Sequence, residues 1–246
     1  MNNRSNPGWD ILIQNAKVFD GTGNLPWLGD IAIKDGQIVE LGDILEPANA
    51  KQVVDASGKW ALPGLLDIHT HYDLELELAP GLPESVRHGT TTVVIANCSI
   101  GLAYGNQRRA NETIDPIVDC FARVENMPKH VLKKAADTAD WNDSGTYLKH
   151  LNELNLGPNV AVLLPHSMLR IQVMGFTDSI SRHPTPDEMQ TMKDLLSLAM
   201  QQGYVGLSTD ALPFHYLAGD PYRKRKIPTQ YAKYSEIKEL TSIVRK

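Results

Sequence analysis

The sequence predicts an α/β protein, in which a small β segment precedes parallel βα units of the kind that build a (β/α)8 barrel. Two observations support this fold class. Up to about residue 62, short apolar runs alternate with turn residues. From Pro63 onward, β-branched runs alternate with helical stretches, which implies parallel strands connected by helices. We therefore expect two domains, a β segment over residues 1–62 and a half-barrel over residues 63–246.

The N-terminal segment reads as a small antiparallel sheet. Residues 11–13 and 16–19 form the first apolar runs, and residues 52–55 form the last. Between them, residues 31–34 and 37–40 flank Asp35-Gly36. An Asp-Gly pair between alternating apolar residues is a strong hairpin signal, because both turn positions need a positive φ.

Four predicted strands follow, each paired with helical sequence. The strands cover residues 64–69, 91–96, 160–164 and 204–208, and the helical stretches include 116–124, 145–154 and a last helix from about residue 235. The clearest helix start is Thr185-Pro186-Asp187-Glu188, which has the pattern of a capping box with proline at the first helical position. Gly203 is expected to end that helix.

Four βα units make only half of a barrel. A closed (β/α)8 barrel takes about 250 residues by itself, and only about 180 follow Pro63. Half a barrel leaves open strand edges that invite aggregation. We therefore expect the chain to be the N-terminal part of a longer protein, with a half-barrel completed by a second copy as the alternative.

His69 and His71 are the sharpest chemical signal. They end the first predicted barrel strand, where residues i and i+2 face the same side. Active sites of parallel barrels lie at the C-terminal ends of the strands. The pair is therefore predicted to ligate a metal ion, although imidazole suits several metals and does not select one.

Cys98 follows the second predicted strand, where a further ligand can project from the neighbouring strand. A thiolate binds zinc well, but a buried, inert cysteine is the common alternative. Cys120 lies among apolar neighbours in a predicted helix and is expected to be inert.

Six further residues lie at or near predicted strand ends and are candidates for substrate binding or for orienting the ligands. The sequence does not decide whether His215, in the loop after the fourth strand, has a role at the site. The six candidates are Asp67, Asp73, His166, Ser167, Ser208 and Thr209.

Composition limits the cellular compartment and the classes of partner that the protein can be expected to have. The net charge of −5 gives no general attraction to nucleic acid, and the basic run 223–226 is short. No apolar run approaches the ~18 residues that span a membrane, and the polar N-terminus lacks a signal peptide pattern. With two cysteines and no disulfide framework, a cytoplasmic protein is expected.

Several motifs, in order, resemble the N-acyl-D-amino-acid deacylase (D-aminoacylase) branch of the amidohydrolase superfamily. The resemblance covers essentially the whole chain. Its motifs are residues 63–73 with His69-Thr70-His71-Tyr72-Asp73, then His88-Gly89-Thr90-Thr91-Thr92, Asn97-Cys98, His166-Ser167-Met168-Leu169-Arg170, Val173-Met174-Gly175 and Gly206-Leu207-Ser208-Thr209.

The resemblance implies a TIM barrel with a small β-sandwich domain, and one or two divalent metal ions, usually zinc. His69, His71 and Cys98 match the family's ligands, and no lysine between residues 201 and 217 offers the carboxylated-lysine alternative. Ser99 departs from the glycine that usually follows the cysteine. Two further histidine ligands and the general-base aspartate are expected beyond Lys246, so the chain alone is expected to be inactive.

Three functions follow as hypotheses. The first is hydrolysis of the amide C–N bond of N-acyl-D-amino acids by a metal-bound hydroxide. The second is a cyclic amidase of the hydantoinase or dihydroorotase kind, which the cysteine in place of lysine disfavours. The third is a non-catalytic scaffold subunit on the same fold, which the retained His69 and His71 disfavour.

Overall fold

The computed structural model describes residues 8–108, 114–124 and 126–245. The chain divides into two compact units, Met1–Gly64 and Leu65–Lys246. Among the described residues, no helix combines the length and apolar character needed to cross a bilayer.

The first unit is a five-stranded sheet in the order β3-β2-β1-β4, with β5 also pairing with β1. The hairpin predicted at Asp35-Gly36 joins β2 to β3, and both residues have positive φ, 50° and 73°. The strands are β1 (Trp9–Val18), β2 (Trp27–Lys34), β3 (Gln37–Gly42), β4 (Ala50–Asp55) and β5 (Trp60–Ala61).

The expectation of a purely antiparallel sheet is wrong. β4 and β5 both run parallel to β1, with Ile11 opposite Gln52 and Lys17 opposite Trp60. A tight turn produces antiparallel neighbours. The connection after β3 instead contains a 3-10 turn, Pro47–Asn49, and carries the chain to the free edge of β1.

The second unit contains the predicted parallel strands in the expected order. β6 (Leu65–Asp67), β7 (Thr90–Ile95) and β8 (Asn159–Val162) form one parallel sheet. The predicted third strand continues as β9 (Leu164–Pro165), which pairs in parallel with β10 (Leu207–Ser208). This arrangement confirms the α/β fold with the first four strands of a barrel.

Helices connect and cover these strands. The predicted capping box is present in α8: the Glu188 N–H donates to the Thr185 hydroxyl at 3.2 Å, and the Thr185 N–H donates to the Glu188 carboxylate at 2.7 Å. The helices are α1 (Asp73–Leu76), α2 (Pro83–Arg87), α3 (Pro116–Val124), α4 (Lys129–Ala136), α5 (Ser144–Glu153), α6 (His166–Met174), α7 (Phe176–Ser179), α8 (Pro186–Gln202) and α9 (Tyr234–Val244).

One continuous core fills the second unit. Ile95 and Leu164 of the strands are fully buried with Phe121 of α3 and Leu196 of α8. Cys120 of α3 is fully buried as predicted, and burial raises the pKa of its thiol. That thiol is therefore unsuited to act as a nucleophile or ligand.

Two predicted strand ends differ from the structure. β6 ends at Asp67, so His69 and His71 lie in the segment between β6 and α1. His166 and Ser167 open α6 directly after Pro165, instead of ending a strand. At the end of β6, the His69 N–H donates to the Asp67 carboxylate at 3.3 Å and not to a neighbouring strand.

Candidate metal centre

Thr70 fixes the segment that carries the two histidines. Its N–H and its hydroxyl both donate to the Val94 carbonyl, at 3.2 and 2.8 Å. Thr70 is buried, and its two bonds anchor the segment to β7. His69 and His71, on either side, have ring centroids 5.6 Å apart. The segment between β6 and α1 thus brings the two imidazoles together without being a strand.

Cys98 lies in the turn after β7 and meets these histidines. The His69 Nε2 and Cys98 Sγ atoms are 3.2 Å apart. One donor atom from each of His69, His71 and Cys98 lies within 4.8 Å of the others. The structure thus brings together the three residues predicted as ligands, and their role as ligands remains a prediction.

Three hydrogen bonds to two side chains, those of Asp73 and Ser208, hold the unusual backbone of this turn. Ala96, Cys98 and Ser99 have left-handed φ values of 61°, 48° and 67°. The Asp73 carboxylate accepts from the Ala96 N–H at 3.2 Å. The Ser208 hydroxyl donates to the Ala96 carbonyl and accepts from the Ser99 N–H. Asp73 and Ser208, both predicted near the site, thus position the backbone that carries Cys98.

Ser167 supports the same turn from α6. Its N–H donates to the Ser99 hydroxyl at 2.6 Å, and the two hydroxyls are 3.0 Å apart. The Ser167 hydroxyl in turn accepts from the Thr229 N–H at 3.1 Å. Ser99 and Ser167 are fully buried, so these hydroxyls position the turn from behind.

Asp67 and Thr209 occupy more open positions. Asp67 is half-buried and accepts from the His69 N–H, so it orients the first histidine through its backbone. Thr209 is exposed at the end of β10 and lines a cavity of about 290 Å³ together with Asp210 and Gln230. Of the six predicted candidates, Thr209 is the one that faces open space most directly.

His166 has different partners from the other histidines of the barrel half. Its Nδ1 is 2.8 Å from the Thr229 hydroxyl and its Nε2 is 3.0 Å from the Glu236 carboxylate. It is fully buried, and this burial lowers its pKa. Both ring nitrogens therefore connect α6 to the chain around α9, and neither contacts the group formed by His69, His71 and Cys98.

Sequence reasoning missed Asp210 and left His215 open. The structure places the Asp210 Oδ1 and the His215 Nδ1 2.9 Å apart, and both residues are buried. With Cys98 they form a second group whose donor atoms lie within 4.8 Å of one another. The position of Asp210, two residues after the strand-end Ser208, is the sequence signal that could have identified it.

The donor set fits a zinc ion. Burial, together with the nearby imidazoles of His69 and His215, lowers the pKa of His71 from 6.5 to about 4, which keeps the ring neutral as ligation requires. Zinc holds nitrogen at about 2.1 Å and sulfur at about 2.3 Å, so donors that share an ion lie roughly 3 to 4 Å apart. The 3.2 Å between His69 and Cys98, and the 4.8 Å limit for all three donors, require only small adjustments.

Comparison with known proteins finds a matching family and similar proteins. The model described as "Amidohydrolase family" matches residues 52–236. An uncharacterized protein of Mycobacterium tuberculosis is 40% identical over 242 residues, covering 96% of this chain and 38% of that protein. N-acyl-D-aspartate deacylase of Alcaligenes xylosoxydans xylosoxydans is 36% identical over 200 residues, covering 81% of this chain and 36% of the enzyme.

A solved structure shares the fold. The crystal structure of N-acyl-D-glutamate deacylase from Bordetella bronchiseptica, complexed with zinc and a phosphonate inhibitor, matches with a TM-score of 0.70 and 28% identity. The match covers 96% of this chain and 42% of that one. The chain thus spans roughly two fifths of the length of each of these relatives.

Proposed function

The chain belongs to the amidohydrolase family, and we propose that its protein hydrolyses the amide C–N bond of N-acyl-D-amino acids with the help of bound zinc. The observation that carries the proposal is the convergence of His69, His71 and Cys98, whose donor atoms lie within 4.8 Å of one another. Two imidazoles and a thiol are donors that zinc favours.

In this proposal His69, His71 and Cys98 hold the metal. A bound zinc ion supplies Lewis acidity, which polarises a carbonyl and lowers the pKa of water, so that hydroxide is available as the nucleophile at neutral pH. The chain's own residues keep the donors in place: Thr70 anchors the two histidines to β7, and Ser208 holds the turn of Cys98. Precise placement by such supporting bonds is a large part of what a metal site needs from its protein.

The substrate class is supported by the relatives. A relative at 36% identity is named for deacylation of N-acyl-D-aspartate, and a matching structure is that of an N-acyl-D-glutamate deacylase with zinc. We therefore place N-acyl derivatives of acidic D-amino acids first among the substrates.

The test is a substrate panel with the full-length protein and its measured zinc content. We expect hydrolysis of N-acetyl-D-aspartate or N-acetyl-D-glutamate, weaker action on the L forms, and loss of bound zinc and of activity in His69→Ala. His88→Ala is the matched control, since the His88 side chain is 72% exposed, and it should behave as wild type.

Three results would contradict the proposal. Hydrolysis of hydantoins alone would indicate a cyclic amidase. A folded, zinc-free oligomer without activity would indicate a scaffold subunit. Unchanged zinc content in His69→Ala would remove the proposed ligand set.

A further inference from the structure

We propose that an apolar cavity beside His71 is the subsite for the acyl chain of the substrate, and that it favours a linear, uncharged chain of medium length. The inference rests on the proposed function, because it assigns one half of the N-acyl-D-amino acid to a place on this chain. The cavity has a volume of about 210 Å³, and seven of the nine residues that line it are apolar.

The first support is the position of the cavity next to the metal-binding group. His71 lines the cavity and also provides one of the donors grouped with His69 and Cys98. α1 begins two residues after His71, and α3 and α4 lie in the connection between β7 and β8 that also carries Cys98. The segments that follow the strands of a parallel barrel carry its substrate contacts. The cavity therefore adjoins the place where the scissile amide has to be held.

The second support is the construction of the walls. Leu74 of α1, Phe121 of α3 and Leu132 of α4 line the cavity, are at most 4% exposed and belong to the core of the second unit. α4 packs against both α1 and α3, so this floor is in place before a ligand binds. At the rim, Leu78 and Met127 are 51% and 41% exposed. An apolar ligand that covers this rim gains affinity, because it removes apolar surface from water.

The third support is charge, which selects one end of the substrate. Among the described residues that line the cavity, Glu75 is the one carboxylate, and neither lysine nor arginine occurs. In an N-acylated acidic amino acid both carboxylates lie on the amine side of the amide, whereas the acyl side is uncharged. A substrate carboxylate in this cavity would lose its hydration and be repelled by Glu75. The acyl chain is therefore the part of the substrate that fits.

The volume of the cavity sets the preferred chain length. A methylene group takes up about as much room as a water molecule, roughly 30 Å³, so the cavity holds a chain of about six carbons. An acetyl group fills little of this space, and each further methylene that enters should strengthen binding by up to about fourfold. Met127 at the rim is unbranched, so it can adapt to chains of slightly different length.

The experiment measures the binding of hexanoate and of acetate to the full-length, zinc-loaded protein by isothermal titration calorimetry. These anions are not hydrolysed, so the readout does not depend on catalysis. In parallel, kcat/KM is measured for N-hexanoyl- and N-acetyl-D-aspartate.

Three variants locate the bound chain. Val131→Phe adds bulk to a residue that lines the cavity, and Met127→Ala shortens a half-exposed side chain at its rim. His130→Phe is the matched control, since it places the same ring on an exposed position of the same helix. Circular dichroism checks that each variant is folded, and Met127→Ala decides the question if Val131→Phe is not.

We expect wild type to bind hexanoate at least about 10-fold more tightly than acetate. Val131→Phe should lower this hexanoate-to-acetate ratio by at least about fivefold, because the added ring competes with the chain for space. Met127→Ala should lower it by about two- to fourfold, because it removes part of the apolar rim. His130→Phe should leave it unchanged, and the ratio of the two kcat/KM values should follow the same order.

The inference and the proposed function fail in different ways. A wild-type ratio near one, or a ratio that neither Val131→Phe nor Met127→Ala lowers, would overturn the acyl subsite, and the proposed function would stand if N-acetyl-D-aspartate is hydrolysed. An equal fall in His130→Phe would also overturn the subsite, because the effect would not come from the cavity. If hexanoate binds as expected but no N-acyl-D-amino acid is hydrolysed, the proposed function fails and the apolar subsite stands.

Discussion

At the scale of single residues, the turn after β7 concentrates backbone strain next to the metal-binding group. Ala96, Cys98 and Ser99 all have positive φ, a conformation that costs non-glycine residues on the order of 1 kcal/mol each or more. The Ser208 hydroxyl, the Asp73 carboxylate and the Ser167 N–H bond to this turn and offset that cost. Such strain persists where the surroundings determine the backbone, and it is often found at functional sites.

Two substitutions of Ser99 separate the cost of the strained backbone from the contribution of the hydrogen bonds. Ser99→Ala keeps the β-carbon at φ 67° and removes the hydroxyl that accepts from the Ser167 N–H at 2.6 Å. That N–H keeps the Ser99 carbonyl as an acceptor at 3.2 Å, so the expected loss is about 1 kcal/mol. Ser99→Gly loses the same hydroxyl but relieves the strain, by about 1 kcal/mol. We therefore expect the glycine variant to be the more stable of the two in urea unfolding. An alanine variant as stable as the glycine variant would show that the backbone is not strained there.

How far the sequence predicts the site depends on the residue. The grouping of His69, His71 and Cys98 was predictable, because strand ends converge at one edge of a parallel sheet. Asp210 was missed although it follows the strand-end Ser208 by two residues, and His215 was left open, because a loop brings the two together and loops have no periodicity to read. His166 illustrates the opposite case: its position after a strand suggested a role at the site, but both of its ring nitrogens serve the packing of α6.

At the scale of elements, α8 shows how directly a local motif determines a helix start. Thr185→Ala removes the hydroxyl that accepts from the Glu188 N–H and should cost about 1 kcal/mol. Thr191→Ala is the matched control, because Thr191 is exposed within the same helix and alanine is the better helix former. Denaturant unfolding of both variants measures the difference. Equal stabilities would mean that the cap contributes nothing.

The same cap has a pH dependence with a defined sign. The hydrogen bond from Arg182, followed by the Thr185 N–H, lowers the pKa of Glu188 from 4.5 to about 2. A lowered carboxyl pKa stabilises the folded state above the unfolded-state pKa, and that stabilisation disappears as pH falls from about 4.5 toward 2. The pair is partly exposed, so the effect should be below roughly 1 kcal/mol.

Comparison with Glu188→Gln isolates this effect from the other carboxylates. Glutamine does not titrate, so the stability difference between wild type and the variant should shrink steadily between pH 5 and pH 2.5. The measurement is the free energy of unfolding at several pH values. A difference that is constant over this range would contradict the lowered pKa.

Elements with a strong local signal were predictable, and those defined by tertiary packing were not. The Asp35-Gly36 hairpin and the α8 cap are local. α6 gave no amphipathic signal, because it is buried on nearly all sides and includes the fully buried polar residues His166 and Arg170. The parallel pairing of β4 with β1 depends on which sheet edge is free, and no segment of sequence encodes that by itself.

At the scale of the whole molecule, both groups of candidate ligands belong to the second unit, Leu65–Lys246. They follow β6, β7 and β10, at the same ends of parallel strands. The site is therefore built from segments far apart in the sequence, and its donors come together only when the strands are paired. Binding of a metal should consequently be linked to the folding of this unit.

This linkage gives the last prediction, which concerns thermal stability. An ion that binds only the folded state, at 100 times its dissociation constant, adds about 2.7 kcal/mol. For a unit of this size that corresponds to a rise in Tm of roughly 5 to 10 °C. We expect zinc to produce such a rise in the chelator-treated protein, and His71→Ala, which removes a donor of the first group, to abolish most of it. His88→Ala, altered at an exposed side chain, should retain the full rise. A rise of equal size in His71→Ala would show that zinc stabilises the protein from elsewhere, because loss of a true ligand must reduce the affinity on which the rise depends.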